Sequence, residues 1–238
     1  MQKYTIVDYG MGGVRPDVRL PWQDLLIESG LILHKRLAGI DPTLLRREFA
    51  VLDAALGPER RHSVAWDTSW SVITLVDRVT PIGTGPLPAG VVAPAMAMMP
   101  SLVTLIAAMR WTVVGSHIYR LPPHSILPWH FEEMGPRFAE TRVLVPIHSA
   151  PEAVTWFGDD GIRYPDGTVW TGDFAFPHQV DNPSDRERIM AIIDVRNEAD
   201  TWAGRLTELE EKPEDRTRLS SLSRSALLDW RARRSSSL

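Results

Sequence analysis

The chain of 238 residues has no cysteine. Disulfides, zinc–thiolate centres, cysteine-ligated iron–sulfur clusters and thiol nucleophiles are therefore excluded. No oxidising compartment is needed, which fits the cytoplasm. Positive charge is not in excess: 26 Lys and Arg face 30 Asp and Glu, a formal net charge of -4. A nucleic-acid partner is not expected from that balance. The first eight residues, MQKYTIVD, lack the apolar core of a signal peptide. One long stretch, Thr80 to Met109, has no charge at all, but Pro81, Pro86, Pro88, Pro94 and Pro100 and three glycines interrupt it. Repeated proline breaks helical hydrogen bonding, and lipid penalises the freed backbone groups. A buried connection followed by a short helix from Ser101 to about Arg110 is expected, not a membrane span.

A content of 44% hydrophobic and 24% charged residues suits a globular core. Residues 1–61 read as a mostly helical segment packed on that core. Asp41-Pro42 fits a helix start, and Leu44, Leu45, Phe49, Leu52 and Leu56 recur near helical period. Residues 62–197 are rich in short strand signals separated by Pro, Gly, Asp and Asn: 66–76, 117–121, 142–147, 153–157, 169–176 and 188–195. This pattern, mainly β with flanking helices, points to a sandwich or jelly roll. Trp66, Trp70 and Trp111 read as core, and Trp156 and Trp170 as core or pocket wall. Residues 198–238 read as an amphipathic helix through Trp202, Leu206 and Leu209, ended by Pro213, then a flexible tail with Arg231 to Arg234 as a solvated helix end.

The chemistry concentrates in 120–132, RLPPHSILPWHFE. On a strand, alternate side chains share a face, so His130 and Glu132 point the same way. His178, in PHQVDN, offers a third ligand. Two histidines and a carboxylate form the facial triad of non-haem iron sites and leave three coordination positions open. A bidentate 2-oxo acid takes two of these, leaving one for O2. Ten residues past His178, Arg188 opens the strand RIMAIIDV. Its guanidinium suits bidentate recognition of the distal carboxylate of 2-oxoglutarate.

These motifs, together with 142–147 (RVLVPI), 170–176 (WTGDFAF) and 185–194 (DRERIMAIID), resemble the aspartyl/asparaginyl β-hydroxylase-like family of 2-oxoglutarate oxygenases, which includes bacterial amino-acid hydroxylases. The likeness covers about His62 to Val195. It implies a double-stranded β-helix (cupin-like jelly roll) and dependence on Fe(II), 2-oxoglutarate and O2. It implies His130 and His178 as iron ligands and Arg188 as the 2-oxoglutarate partner. Arg142 matches an arginine near co-substrate or substrate carboxylates, and Ser125 matches a co-substrate contact. An unactivated C–H of a small polar substrate, a free or peptidyl amino acid, is the expected target, with Arg142 and His124 as anchors. The family usually has Gly in place of His124, and Asp or no acidic ligand in place of Glu132.

Each residue has a structural alternative. His130 fits a core histidine, His178 a turn cap, and Glu132 a surface neighbour of an inward Glu133. Arg188 fits a surface pair with Asp185 or Asp194, with Arg186 as its rival. Arg142 fits an internal ion pair, and His124 and Ser125 fit turn positions. Desaturation or cyclisation on the same iron, a cupin-type isomerase, and a non-enzymatic jelly-roll binding protein are the competing functions. Oligomeric state is not legible.

Overall fold

The computed structural model describes residues 20–56, 61–64, 67–77, 93–158, 160–198 and 201–235. Trp66, most of the Pro-rich stretch, the first residues and the last three lie outside them. In chain order the elements are α1 (Pro21–Ile27), β1 (His34–Gly39), α2 (Pro42–Leu56), β2 (Arg61–Val64), β3 (Asp67–Val76), α3 (Pro94–Ala97), α4 (Pro100–Met109), β4 (Val113–Leu121), β5 (Ser125–His130), β6 (Glu140–His148), β7 (Val154–Phe157), β8 (Asp160–Ile162), β9 (Thr168–Gly172), β10 (His178–Asn182), β11 (Arg188–Arg196), α5 (Thr207–Glu210) and α6 (Pro213–Ser235).

Two sheets face each other. The larger has the order β1-β9-β6-β11-β4-β3-β2, the smaller β5-β10-β7-β8, and the strand pairs are antiparallel. The central strand β11 shows why the sheets hold together. Ile189, Ala191, Ile193 and Val195 enter a core shared with α2, α3 and α4. Met190 and Ile192 turn the other way, into a second core with Trp129, Phe157 and Phe174. The two-residue period of a strand thus feeds two apolar layers, and each fully buried Ile or Val contributes about 1.5–3 kcal/mol. The jelly roll expected from the sequence is the fold observed.

Helix α2 starts as its sequence dictates. The Asp41 carboxylate accepts the N–H groups of Thr43 and Leu44, satisfying donors left open at a helix start. Leu45, Phe49 and Leu52 line its buried face. Glu48, also buried, accepts the backbone N–H (3.0 Å to one oxygen) and the hydroxyl (2.7 Å) of Ser101, tying α2 to the first turn of α4. No helix of the described residues is long and apolar enough to cross a membrane.

Three expectations need correction. The segment before Leu56 is not all helical, because β1 pairs with β9 at the edge of the large sheet; that partner lies far along the chain, out of reach of a local pattern. The strand at 169–176 stops at Gly172, where a Cβ would stand 3.0 Å from the carbonyl oxygen of Leu33. The chain then turns, with the Phe176 N–H donating to the Asp173 carbonyl at 3.2 Å. Pro213 does not end a long helix; α5 has four residues, and Pro213 begins the 23-residue α6, the first-turn position where a missing N–H is harmless.

Candidate active site

A cavity of about 120 Å³ lies between the two sheets, room for on the order of ten waters or a ligand of similar bulk. His130 and His178 sit side by side on its wall. They are cross-strand partners at the ends of β5 and β10, and their ring centroids are 4.1 Å apart. Each ring is anchored through Nδ1 to a carbonyl two residues back: His130 to Pro128 at 2.7 Å and His178 to Phe176 at 3.0 Å. A backbone carbonyl on one ring nitrogen fixes the tautomer and leaves the other nitrogen's lone pair for a metal. Phe157 stacks on His178 at 5.2 Å, and Phe174 meets it edge-on at 5.1 Å. Burial pushes both imidazoles below their ordinary range, His178 well below, helped by its neighbour His130. Both rings are therefore neutral and ligand-ready at neutral pH. The unfolded chain takes up these two protons near pH 6.5 and the folded chain does not. Stability of the metal-free protein should accordingly hold above that pH and fall as pH drops below it. Denaturation curves at pH 7.5 and 5.5 check this, and an unchanged midpoint would contradict the burial of neutral rings.

Arg188 opens β11 at the other end of the cavity and is 3% exposed. It donates to the Thr155 hydroxyl at 2.8 Å and weakly to the Val154 carbonyl at 3.4 Å, and lies 5.9 Å from the Tyr164 ring centroid. Its Nε has no partner, and no carboxylate pairs with it among the described residues. Asp181 is occupied elsewhere, accepting from Trp156 and Gln179, with its carboxyl pushed up to about 6 by burial. Burial pushes the Arg188 guanidinium down to about 10. Asp181 acts on it without an ion-pair contact; a buried cation with no carboxylate in contact is costly, and its place on a cavity wall suits it to receive an anion. The surface-pair alternative does not hold: Asp194 bonds Arg142, Asp185 bonds His124, and Arg186 is exposed.

The carboxylate is placed differently from the simple strand expectation. β5 ends at His130, and Glu132 follows it, its N–H donating to the Phe174 carbonyl at 2.8 Å. Glu132 still lines the cavity, yet both its oxygens accept from Nη1 of Arg142 at 2.5 Å. Arg142 also grips Asp194, Nε at 2.8 Å and Nη2 at 3.2 Å. Burial works against its charge, but Glu132 and Asp194 outweigh it and hold the guanidinium above its ordinary value. Among the described residues no three His, Asp or Glu side chains are grouped to hold a metal ion. Two neutral imidazoles and a carboxylate on one cavity nonetheless supply the donor chemistry of an iron site. Ser125 and His124 are outside the cavity lining. Ser125 is buried and donates to the Pro122 carbonyl; His124 is exposed, with φ of 53°, against Asp185.

Sequence reasoning missed Thr155, the second carboxylate on Arg142, and the brace behind the histidines. Asp194 was findable, since it shares the face of Arg188 by even spacing along β11. The brace was not. Asp173, which opens the turn to His178, is buried between Arg137 (3.4 Å) and Arg216 (3.6 Å). Arg216 comes from α6, as does Arg224, 5.3 Å from the Phe131 ring. Trp230 and Trp129 both meet Trp22 edge-on, and Arg231 donates to the Trp129 carbonyl. Arg231 is thus no plain solvated helix end: α6 backs both histidine-bearing segments.

A family model described as aspartyl/asparaginyl beta-hydroxylase matches residues 44–198. Among curated proteins no sequence matches the chain. Solved structures are similar to the chain at low identity. A 2OG-Fe(II) oxygenase family oxidoreductase from Burkholderia pseudomallei is 16% identical over 74% of this chain and 88% of its own, with a TM-score of 0.49. The non-heme alpha-ketoglutarate-dependent epimerase SnoN from nogalamycin biosynthesis is 10% identical over 74% and 83%, with a TM-score of 0.50. A prolyl-4-hydroxylase from Pseudomonas putida is 11% identical over 75% and 100%, with a TM-score of 0.44.

Proposed function

Since the chain belongs to the aspartyl/asparaginyl β-hydroxylase family, whose members are non-haem Fe(II)- and 2-oxoglutarate-dependent dioxygenases, we propose that this cavity hydroxylates an unactivated C–H bond of a small substrate. The observation that carries the reading is the pairing of two neutral, pre-oriented histidines with an unpaired buried arginine in one cavity. When bound, Fe(II) with 2-oxoglutarate and O2 supplies the oxidation: the oxo acid becomes succinate and CO2, and an oxygen atom enters the C–H bond. His130 and His178 would hold the metal, and Glu132, which Arg142 holds at the cavity wall, would supply the carboxylate. Arg188 receives the distal carboxylate with the Thr155 hydroxyl beside it. Thr155 pairs with Val180 while Phe157 pairs with His178, so the arginine's partner and the histidine lie two strand residues, about 7 Å, apart. That span fits a five-carbon dicarboxylate. The apolar walls keep water from the reacting bond and orient it. An amino acid or a peptidyl residue is the substrate that the family suggests.

Anaerobic addition of Fe(II) and then 2-oxoglutarate should produce the weak visible charge-transfer band of the chelate. Metal uptake without the band would favour a cupin-type isomerase. No metal uptake at all would overturn the reading.

A further inference from the structure

The charges around the cavity limit what can occupy the space left for substrate. On the 2-oxoglutarate reading, two guanidinium groups, Arg142 and Arg188, and a divalent metal are matched by Glu132, Asp194 and the dianion of the co-substrate. No positive charge is left over for a substrate anion, since the Asp181 carboxylate also acts on Arg188. Arg142 has all three guanidinium nitrogens engaged by carboxylates, Nε and Nη2 with Asp194 and Nη1 with Glu132. A substrate carboxylate there meets a guanidinium whose charge is already balanced by carboxylates in contact. His124, the other expected anchor, faces Asp185 outside the cavity. Apart from the two histidines and the hydroxyl-bearing Tyr119 and Thr155, the rest of the wall is hydrocarbon. Along β11, Met190 and Ile192 continue inward from Arg188, and Leu144 of β6 is the cross-strand neighbour of Ile192. Trp70 and Tyr119 meet edge-on at 6.3 Å and form an aromatic flank.

An ionised group placed against such a wall, with no partner, loses its hydration without compensation. We propose that the moiety received beside the metal is an uncharged hydrocarbon chain or ring of a small molecule, whose own ionised groups stay outside the cavity. This rests on the oxygenase reading above. A free amino acid whose ammonium and carboxylate enter the cavity is excluded by it; the apolar side chain of a peptidyl residue is not.

The test uses the full-length protein loaded with Mn(II), with quenching of tryptophan fluorescence as the readout, since Trp70 lines the cavity. Saturable binding of 2-oxoglutarate is measured first. Three probes of one shape follow on the loaded protein: cyclohexanecarboxamide, cyclohexanecarboxylate and cyclohexylmethylammonium. The amide should bind at least about tenfold more tightly than either ion, and Ile192→Glu should abolish the preference while 2-oxoglutarate still binds. An ion binding as well as the amide, no probe binding, or a preference unmoved by Ile192→Glu would each overturn the proposal with the oxygenase reading intact. Failure at the first step, with no 2-oxoglutarate bound, would remove that reading and this inference with it.

Discussion

Replacing Arg188 with methionine should move two properties in opposite directions: the metal-free protein becomes more stable, and 2-oxoglutarate binding collapses. The side chain is 3% exposed and has no carboxylate in contact, and burial lowers its pKa from the ordinary guanidinium value to about 10. A depressed pKa on a base means that the fold disfavours its charged form. The cost is fully present below pH 10 and fades as pH rises through that value. Its size is about 3 kcal/mol by linkage. The hydrogen bonds to Thr155 and Val154 return part of that, about 1 kcal/mol. Arg188→Met fills similar space without the charge, so a net gain of about 1–3 kcal/mol is expected in urea unfolding at pH 7. Removing one member of a buried charge pair costs about 2–5 kcal/mol of binding, so 2-oxoglutarate affinity should fall by about thirtyfold to several thousandfold. Unchanged affinity would show that another group receives the carboxylate. A large loss of stability would show that Arg188 is a structural residue.

His178→Ala has the second large effect. The ring contributes one of two neutral imidazoles, held by the Phe176 carbonyl and packed against Phe157 and Phe174. Loss of a group that only orients a metal ligand costs about tenfold to a hundredfold in affinity; loss of the ligand itself should cost at least about a hundredfold. Titration calorimetry with Mn(II) or Co(II) is the direct measurement, and the charge-transfer band should vanish with the metal. Wild-type metal affinity in the variant would return His178 to the role of a turn-capping core residue.

Much of this was legible in the sequence because it depends on neighbours in the chain. Asp41 caps α2 through residues two and three ahead of it. β11 reads as a buried strand because its residues are apolar on both faces. Cysteine-free composition excludes thiolate metal donors. The order His130, Glu132, His178, Arg188, with the Leu121-to-Glu132 motif, carried the family resemblance, and the match over residues 44–198 agrees with it. Local pattern was weakest where a partner lies far away. β1 reads as part of a helical segment, since nothing near His34 announces β9.

The site divides along the same line. Sequence alone named the candidate side chains, because residue type and spacing set donor identity. Only the tertiary structure decided their state. It left Arg188 without a carboxylate in contact and gave Arg142 two, one from the strand paired beside it and one from just past β5. It set the two imidazoles 4.1 Å apart and made them neutral by burial. It brought α6, from the far end of the chain, behind both of them. Charge balance and burial are sums over everything packed around a group, and that packing is written in no single stretch of sequence.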